Sequence, residues 1–106
     1  MKKRKRIYIS GPISGLKRER YLRLFTDAES SLKTAGYEVV NPTKLAPCRW
    51  RWIYAVLGYR WTLAYDIWHL KRCDGIFMIP GWMRSRGARV EYRKAKKKGL
   101  KVLRYI

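Results

Sequence analysis

The run Gly75-Ile76-Phe77-Met78-Ile79 contains no polar side chain and is stopped at once by Pro80-Gly81. A strand with one wet face alternates apolar and polar residues, so an unbroken apolar run of this length predicts a strand covered on both faces. Strands of that kind belong to parallel sheets, which need crossover helices above and below them. The run therefore constrains the whole chain to an α/β arrangement, if the flanking segments supply the other strands and the helices.

They do. Ile7-Tyr8-Ile9-Ser10 reads as a first strand, broken by Gly11-Pro12. Between Lys17 and Ala35, the apolar positions Leu22, Phe25, Ala28 and Leu32 recur at three- and four-residue steps, and Gly36 is placed to end that helix. Tyr37 to Val40 reads as a second strand, stopped by Asn41-Pro42. Trp61, Ala64, Ile67, Trp68 and Leu70 form a helical stripe ending near Lys71. A last helix runs from Ser85 to Lys98, Gly99 closes it, and Val102-Leu103 lies in a fourth strand. The expected fold is one flavodoxin-like or Rossmann-like three-layer domain over residues 1–106, with a parallel sheet of about four strands in the order 2-1-3-4. In such a sheet the ligand crevice lies beyond the carboxyl ends of the strands where the order reverses, so the loops Gly11 to Gly15, Asn41 to Trp52 and Pro80 to Gly87 are expected to meet there.

Charge narrows the partners. The net charge is +19, from 26 Lys and Arg against 7 Asp and Glu, a field that draws in phosphates, nucleotides or nucleic acid. No membrane partner is expected: the longest uncharged stretch, Trp52 to Tyr59, falls far short of the roughly 20 residues that span a bilayer. The basic start resembles a signal peptide only faintly, because Ser10, Gly11, Pro12, Ser14 and Gly15 interrupt any apolar core, and a cytoplasmic location is expected. Cys48 and Cys73 form no Cys-x-x-Cys pair and His69 is the single histidine, so neither a metal nor an organic cofactor is expected and the cysteines read as free thiols.

In so basic a chain the few acids are informative. Asp66, Asp74 and Glu91 are associated with the expected crevice, whereas Glu19, Asp27, Glu29 and Glu38 read as solvated face residues. Glu91 falls about a turn and a half into its helix, near the positive helix end where a carboxylate stays ionised. Two readings stand side by side for it: a reactive carboxylate, or a surface helix acid paired with Arg93, Lys94 or Lys98. Ser85 reads equally as a helix cap, and Asp74 as a loop-tying acid at the start of a buried strand.

The set Ile7-Tyr8-Ile9-Ser10-Gly11-Pro12, Asp66 in a helix, Asp74 opening an apolar strand, and Ser85-x-Gly87-x-x-x-Glu91 resembles the nucleoside 2-deoxyribosyltransferase superfamily, including its deoxynucleoside monophosphate N-glycosidase branch. The resemblance extends from Ile7 to about Val102. It implies that Glu91 is the nucleophile that attacks C1′ of a deoxyribose, that Asp66 contacts the sugar or the leaving base, and that the Tyr8 hydroxyl stands beside the nucleophile. It further implies substrate contacts at Gly11, Pro12, Ser14, Asp74, Ser85, Gly87 and Arg89, with Ser85 and Gly87 presenting backbone N–H groups to a 5′-phosphate. Arg89 replaces the small residue common in relatives and would narrow the pocket or grip a phosphate. Relatives commonly carry a fifth strand and a group from a neighbouring subunit, so a homo-oligomer is expected.

Arg49-Trp50-Arg51-Trp52 interleaves cations and aromatic rings, which suits either base contacts by Trp50, Arg51 and Trp52 or an interface between copies. Two function classes follow: an enzyme that cleaves or exchanges the N-glycosidic bond of a nucleoside or nucleotide, and a non-catalytic nucleotide or nucleic-acid binder using this basic aromatic surface.

Overall fold

The computed structural model describes residues 4–12, 16–42 and 67–105. Its elements in chain order are β1 (Arg6–Ser10), α1 (Arg18–Thr34), β2 (Glu38–Val40), β3 (Gly75–Met78), a 3-10 turn (Trp82–Arg84), α2 (Arg86–Lys98) and β4 (Lys101–Arg104). Residues 67–70 are also helical and lead into β3. The four strands form one sheet in the order β2-β1-β3-β4, and every neighbouring pair is parallel. This is the expected α/β architecture, with β1 and β3 central and the order reversing between them.

Burial follows from position in the sheet. Ile7 to Ser10 of β1 and all of β3 are buried, whereas β2 and β4 at the edges are only partly covered. Opposite side chains of β1 go to two separate cores. Ile7 and Ile9 join Phe77, Ile79 and the α1 residues Phe25, Ala28 and Leu32; Tyr8 joins Ile76, Met78, Leu70, Cys73 and Ala95 of α2. The two-residue period of the strand is what divides the residues between the layers.

Three side chains depart from their expected environments. The inward stripe of α1 is completed by Tyr21, which packs against the core with Leu24, in place of Leu22. Glu29 is buried and not solvated: it lies one turn beyond Phe25 on the covered side of α1, and Lys33 Nζ stands 3.7 Å from its carboxylate. Trp68, assigned to an apolar stripe, is 51% exposed, while Leu70 two residues on is buried.

Two glycines shape the loops around the sheet. A Cβ on Gly11 would stand 2.7 Å from Ile79 Cβ, so only glycine allows the chain leaving β1 to pass this close to the chain leaving β3. Gly81, at φ 93°, turns the backbone from β3 into the 3-10 turn. Among the described residues, no helix is long and apolar enough to cross a membrane.

Candidate active site

Glu91 is the sixth residue of α2, a helix started by the Ser85 side chain, whose Oγ accepts from the Ala88 N–H at 3.3 Å. Because Glu91 shares the inward face of α2 with Ala88 and Ala95, its carboxylate is directed at the sheet and is 7% exposed. Two hydroxyls from β1 meet it there. The Tyr8 phenol donates to Oε2 at 2.5 Å, and the Ser10 hydroxyl donates to Oε1 at 2.7 Å. Tyr8 and Ser10 are two residues apart on a strand and so point to the same face, the one α2 covers.

Burial pushes the Glu91 carboxyl up to about 6, since desolvation penalises the ionised form, and the hydrogen bonds from Tyr8 and Ser10 pull in the opposite direction. Two of the carboxylate's four lone-pair positions are taken by the hydroxyls, which fix its orientation and leave acceptor capacity for a reacting atom. The reading of Glu91 as a surface acid paired with Arg93, Lys94 or Lys98 does not describe this geometry.

The site lies at the end of the sheet where the fold places ligands. Ser10 ends β1, and its carbonyl accepts from the Ile79 N–H at 2.8 Å just beyond β3, so the carboxyl ends of the two central strands stay together at the point of order reversal. Gly11 and Pro12 are buried immediately beyond β1. A Cβ on Gly81 would stand 3.6 Å from the Pro12 ring, which brings the first and third expected loops against one another. Trp82 anchors the second of these by lying on Tyr92 of α2, with ring centroids 4.6 Å apart. Gly87 is the second residue of α2 and Arg89 the fourth. Their backbone belongs to the amine end of the helix, and the Arg89 side chain is exposed.

Asp74 is elsewhere. It precedes β3 at the amino ends of the strands, where its Oδ2 accepts from the Arg6 N–H at 2.8 Å and its own N–H donates to the Arg6 carbonyl at 2.7 Å. The expectation that it borders the crevice is corrected: a residue that opens a parallel strand lies a strand's length from the carboxyl end, and this one ties β3 to β1. Asp66, Ser14, Trp50, Arg51 and Trp52 lie outside the described residues. Ser10 was not among the expected site residues, although its place at the end of the first strand, two residues after Tyr8, is the period-2 signal that reveals it.

Cys73 is buried against the α2 side of the sheet, and burial raises its thiol to about 11; it is an inert packing residue at neutral pH. Among the described residues, no group of three His, Cys, Asp or Glu side chains is arranged to hold a metal ion.

A parallel α/β domain with a hydroxyl-clamped carboxylate at its switch point is thus the class of protein that the geometry defines. The chain belongs to the family described as Domain of unknown function (DUF4406), whose model matches residues 5–104. No curated protein matches the chain.

Proposed function

We propose that this protein cleaves or exchanges the N-glycosidic bond of a nucleoside or nucleoside monophosphate, with Glu91 as the nucleophile. The observation that carries the reading is the Glu91 carboxylate, buried at the switch point between two β1 hydroxyls. A nucleophilic carboxylate must be ionised, oriented and shielded from water, and these contacts serve all three requirements. In the first step a Glu91 oxygen bonds to C1′ as the C1′–N bond breaks; the bonding electrons leave with the base, which takes up a proton. In the second step, water or the nitrogen of a second base attacks C1′, gives its proton back to the group that protonated the departing base, and releases the Glu91 carboxylate. Two displacements at one carbon retain its configuration, as in glycosidases that use a carboxylate nucleophile.

Tyr8 and Ser10 hold the carboxylate in line, and their hydrogen bonds spread its charge while it is the nucleophile and again when it is the leaving group. By the resemblance, Asp66 contacts the sugar or the leaving base, where a protonated or hydrogen-bonding carboxyl helps the nitrogen leave. The amine end of α2, with Gly87, Arg89 and the exposed Arg84 and Arg86, suits a substrate phosphate through helix dipole and charge together. The same reading assigns a cytoplasmic protein, where free nucleotides are found, working as a homo-oligomer.

A second reading, nucleotide binding without turnover, is favoured by the dense positive charge alone, which attracts an anion whether or not bonds are broken. One assay separates them. The protein and its Glu91→Gln variant are incubated with a panel of ribo- and deoxyribonucleosides and their 5′-monophosphates, with and without an acceptor base, and free base is followed by chromatography. Base release by the native chain and at least a hundredfold less by the variant is the expected outcome. No release across the panel, with nucleotide affinity equal in both proteins, supports the binder.

A further inference from the structure

At the opposite end of α2 from the Ser85 cap, four lysines line one groove of about 330 Å³: Lys71, after the helical residues 67–70, and Lys94, Lys97 and Lys98 of α2. We propose that this groove, together with the neighbouring Trp68, binds the phosphodiester backbone of single-stranded nucleic acid. This second site is separate from the Glu91 carboxylate. α2 begins beyond the carboxyl end of β3 and ends just before β4, whose Lys101 pairs with Gly75 at the amino end of β3. The lysine end of the helix thus lies at the amino ends of the strands.

The groove is built for an anion. Lys94, Lys97 and Lys98 are spaced at three and four residues and so share one side of α2. Lys98 Nζ donates to the Lys71 carbonyl, which braces the two walls against each other. Among the described residues no acid lines the groove, and the ion pairs formed by Arg6 with Glu38 and Lys33 with Glu29 use none of its lysines. Three of these cations do favour the negative end of the helix dipole, but that interaction is worth well under what four neighbouring lysines gain from a chain of phosphates with counterion release.

Trp68 decides which polyanion fits. It lies three residues before Lys71, one of the residues lining the groove, and the Arg72 guanidinium stacks over its ring at 4.2 Å. A half-exposed indole beside a basic groove offers an unpaired base a stacking surface, with the arginine adding a cation to the stack. A duplex keeps its base faces occupied by stacking and cannot use it. An anionic lipid surface would draw the same lysines by charge, so vesicles of that composition enter the test as the competing partner.

The test uses the full chain and fluorescence anisotropy with a labelled oligothymidylate of about 20 nucleotides, long enough for at least one binding site. Three proteins are compared: native, Lys94→Ala/Lys97→Ala/Lys98→Ala, and a charge-matched Lys17→Ala/Arg20→Ala/Arg23→Ala control at the start of α1. The groove variant is expected to lose roughly tenfold or more in affinity and to flatten the salt dependence by about two units of log–log slope, the control to lose under about threefold. Trp68→Ala should lose on the order of tenfold for the oligonucleotide with no change in salt slope. Because Lys98 braces the groove, a Lys94→Glu/Lys97→Glu pair that leaves this contact in place is measured as well, and should lose more than the alanine variant. Nucleotide turnover in the groove variants, where present in the native chain, should persist. Equal losses in the groove and control variants, an unchanged Trp68→Ala protein, or a preference for duplex or for vesicles containing anionic lipid over the single strand would each overturn the proposal.

Discussion

The Tyr8 phenol and the Glu91 carboxylate, 83 residues apart in the chain, meet at 2.5 Å inside the protein. The contact joins the central strand to the helix that follows β3, and it makes the chemical state of the carboxylate depend on a side chain from the start of the sequence. Its removal has a defined direction. Since the phenol donates to the ionised carboxylate and lowers the Glu91 pKa, Tyr8→Phe should raise it above about 6 and cost about 1.5–3 kcal/mol of stability at neutral pH, the usual worth of a hydrogen bond to a charged group. Carboxyl NMR titration of the variant would show the shift, and in a base-release assay the acidic limb of the pH profile should move upward by a similar amount. An unchanged titration would mean that the phenol does not hold the carboxylate in solution.

Glu91→Gln should gain stability on the native chain as the pH rises to neutrality. The folded carboxyl titrates at about 6, above its ordinary value of 4.5, so between these values the folded state holds a proton that the unfolded state has released. The stability contributed by the protonated, buried acid is therefore complete below about pH 4.5 and lost as the pH rises through 6. The displacement corresponds to about 2 kcal/mol. Urea unfolding at pH 4 and pH 7.5 should show the variant gaining on the native chain by about this amount at the higher pH. A difference that does not depend on pH would remove the buried carboxylate as its cause.

Gly11→Ala should destabilise the fold by about 1–3 kcal/mol, the range for forcing an extra carbon into a packed interior. The new methyl would meet Ile79 Cβ at 2.7 Å, with Cδ1 at 3.0 Å. Trimming the neighbour to give Gly11→Ala/Ile79→Ala removes the more distant clash but keeps the closer one, so the double variant should recover none of the loss. Denaturant midpoints for the single and double variants check both statements, and recovery in the double variant would show that the flexible end of Ile79 causes the conflict.

What could be read from the residues alone followed the strength of local signals. The apolar run of β3, the Gly-Pro and Pro-Gly stops, and the glycines closing the helices carry their conformational meaning in a few adjacent residues, and they led to the four parallel strands in the order observed. The position of Glu91 in its helix was likewise set by the Ser85 cap, which acts over three residues. Depth was not legible. Glu29 and Trp68 carry the residue types of a solvated acid and a core aromatic, yet one is buried and the other half exposed, because burial depends on which elements cover a helix and not on the helix itself.

The separation of the acids also required the tertiary structure. Asp74 and Glu91 flank the same strand and turn in the sequence, but the strand between them carries one to the amino ends of the sheet and the other back to the carboxyl ends. The meeting of Tyr8, Ser10 and Glu91, and that of Lys71 with the end of α2, join residues distant in the chain. Sequence by itself determined the elements and their order, through short-range conformational preference and hydrophobic period. Only the packed fold decided which polar groups share a site, because that depends on register, crossover and the angle at which each helix lies on the sheet.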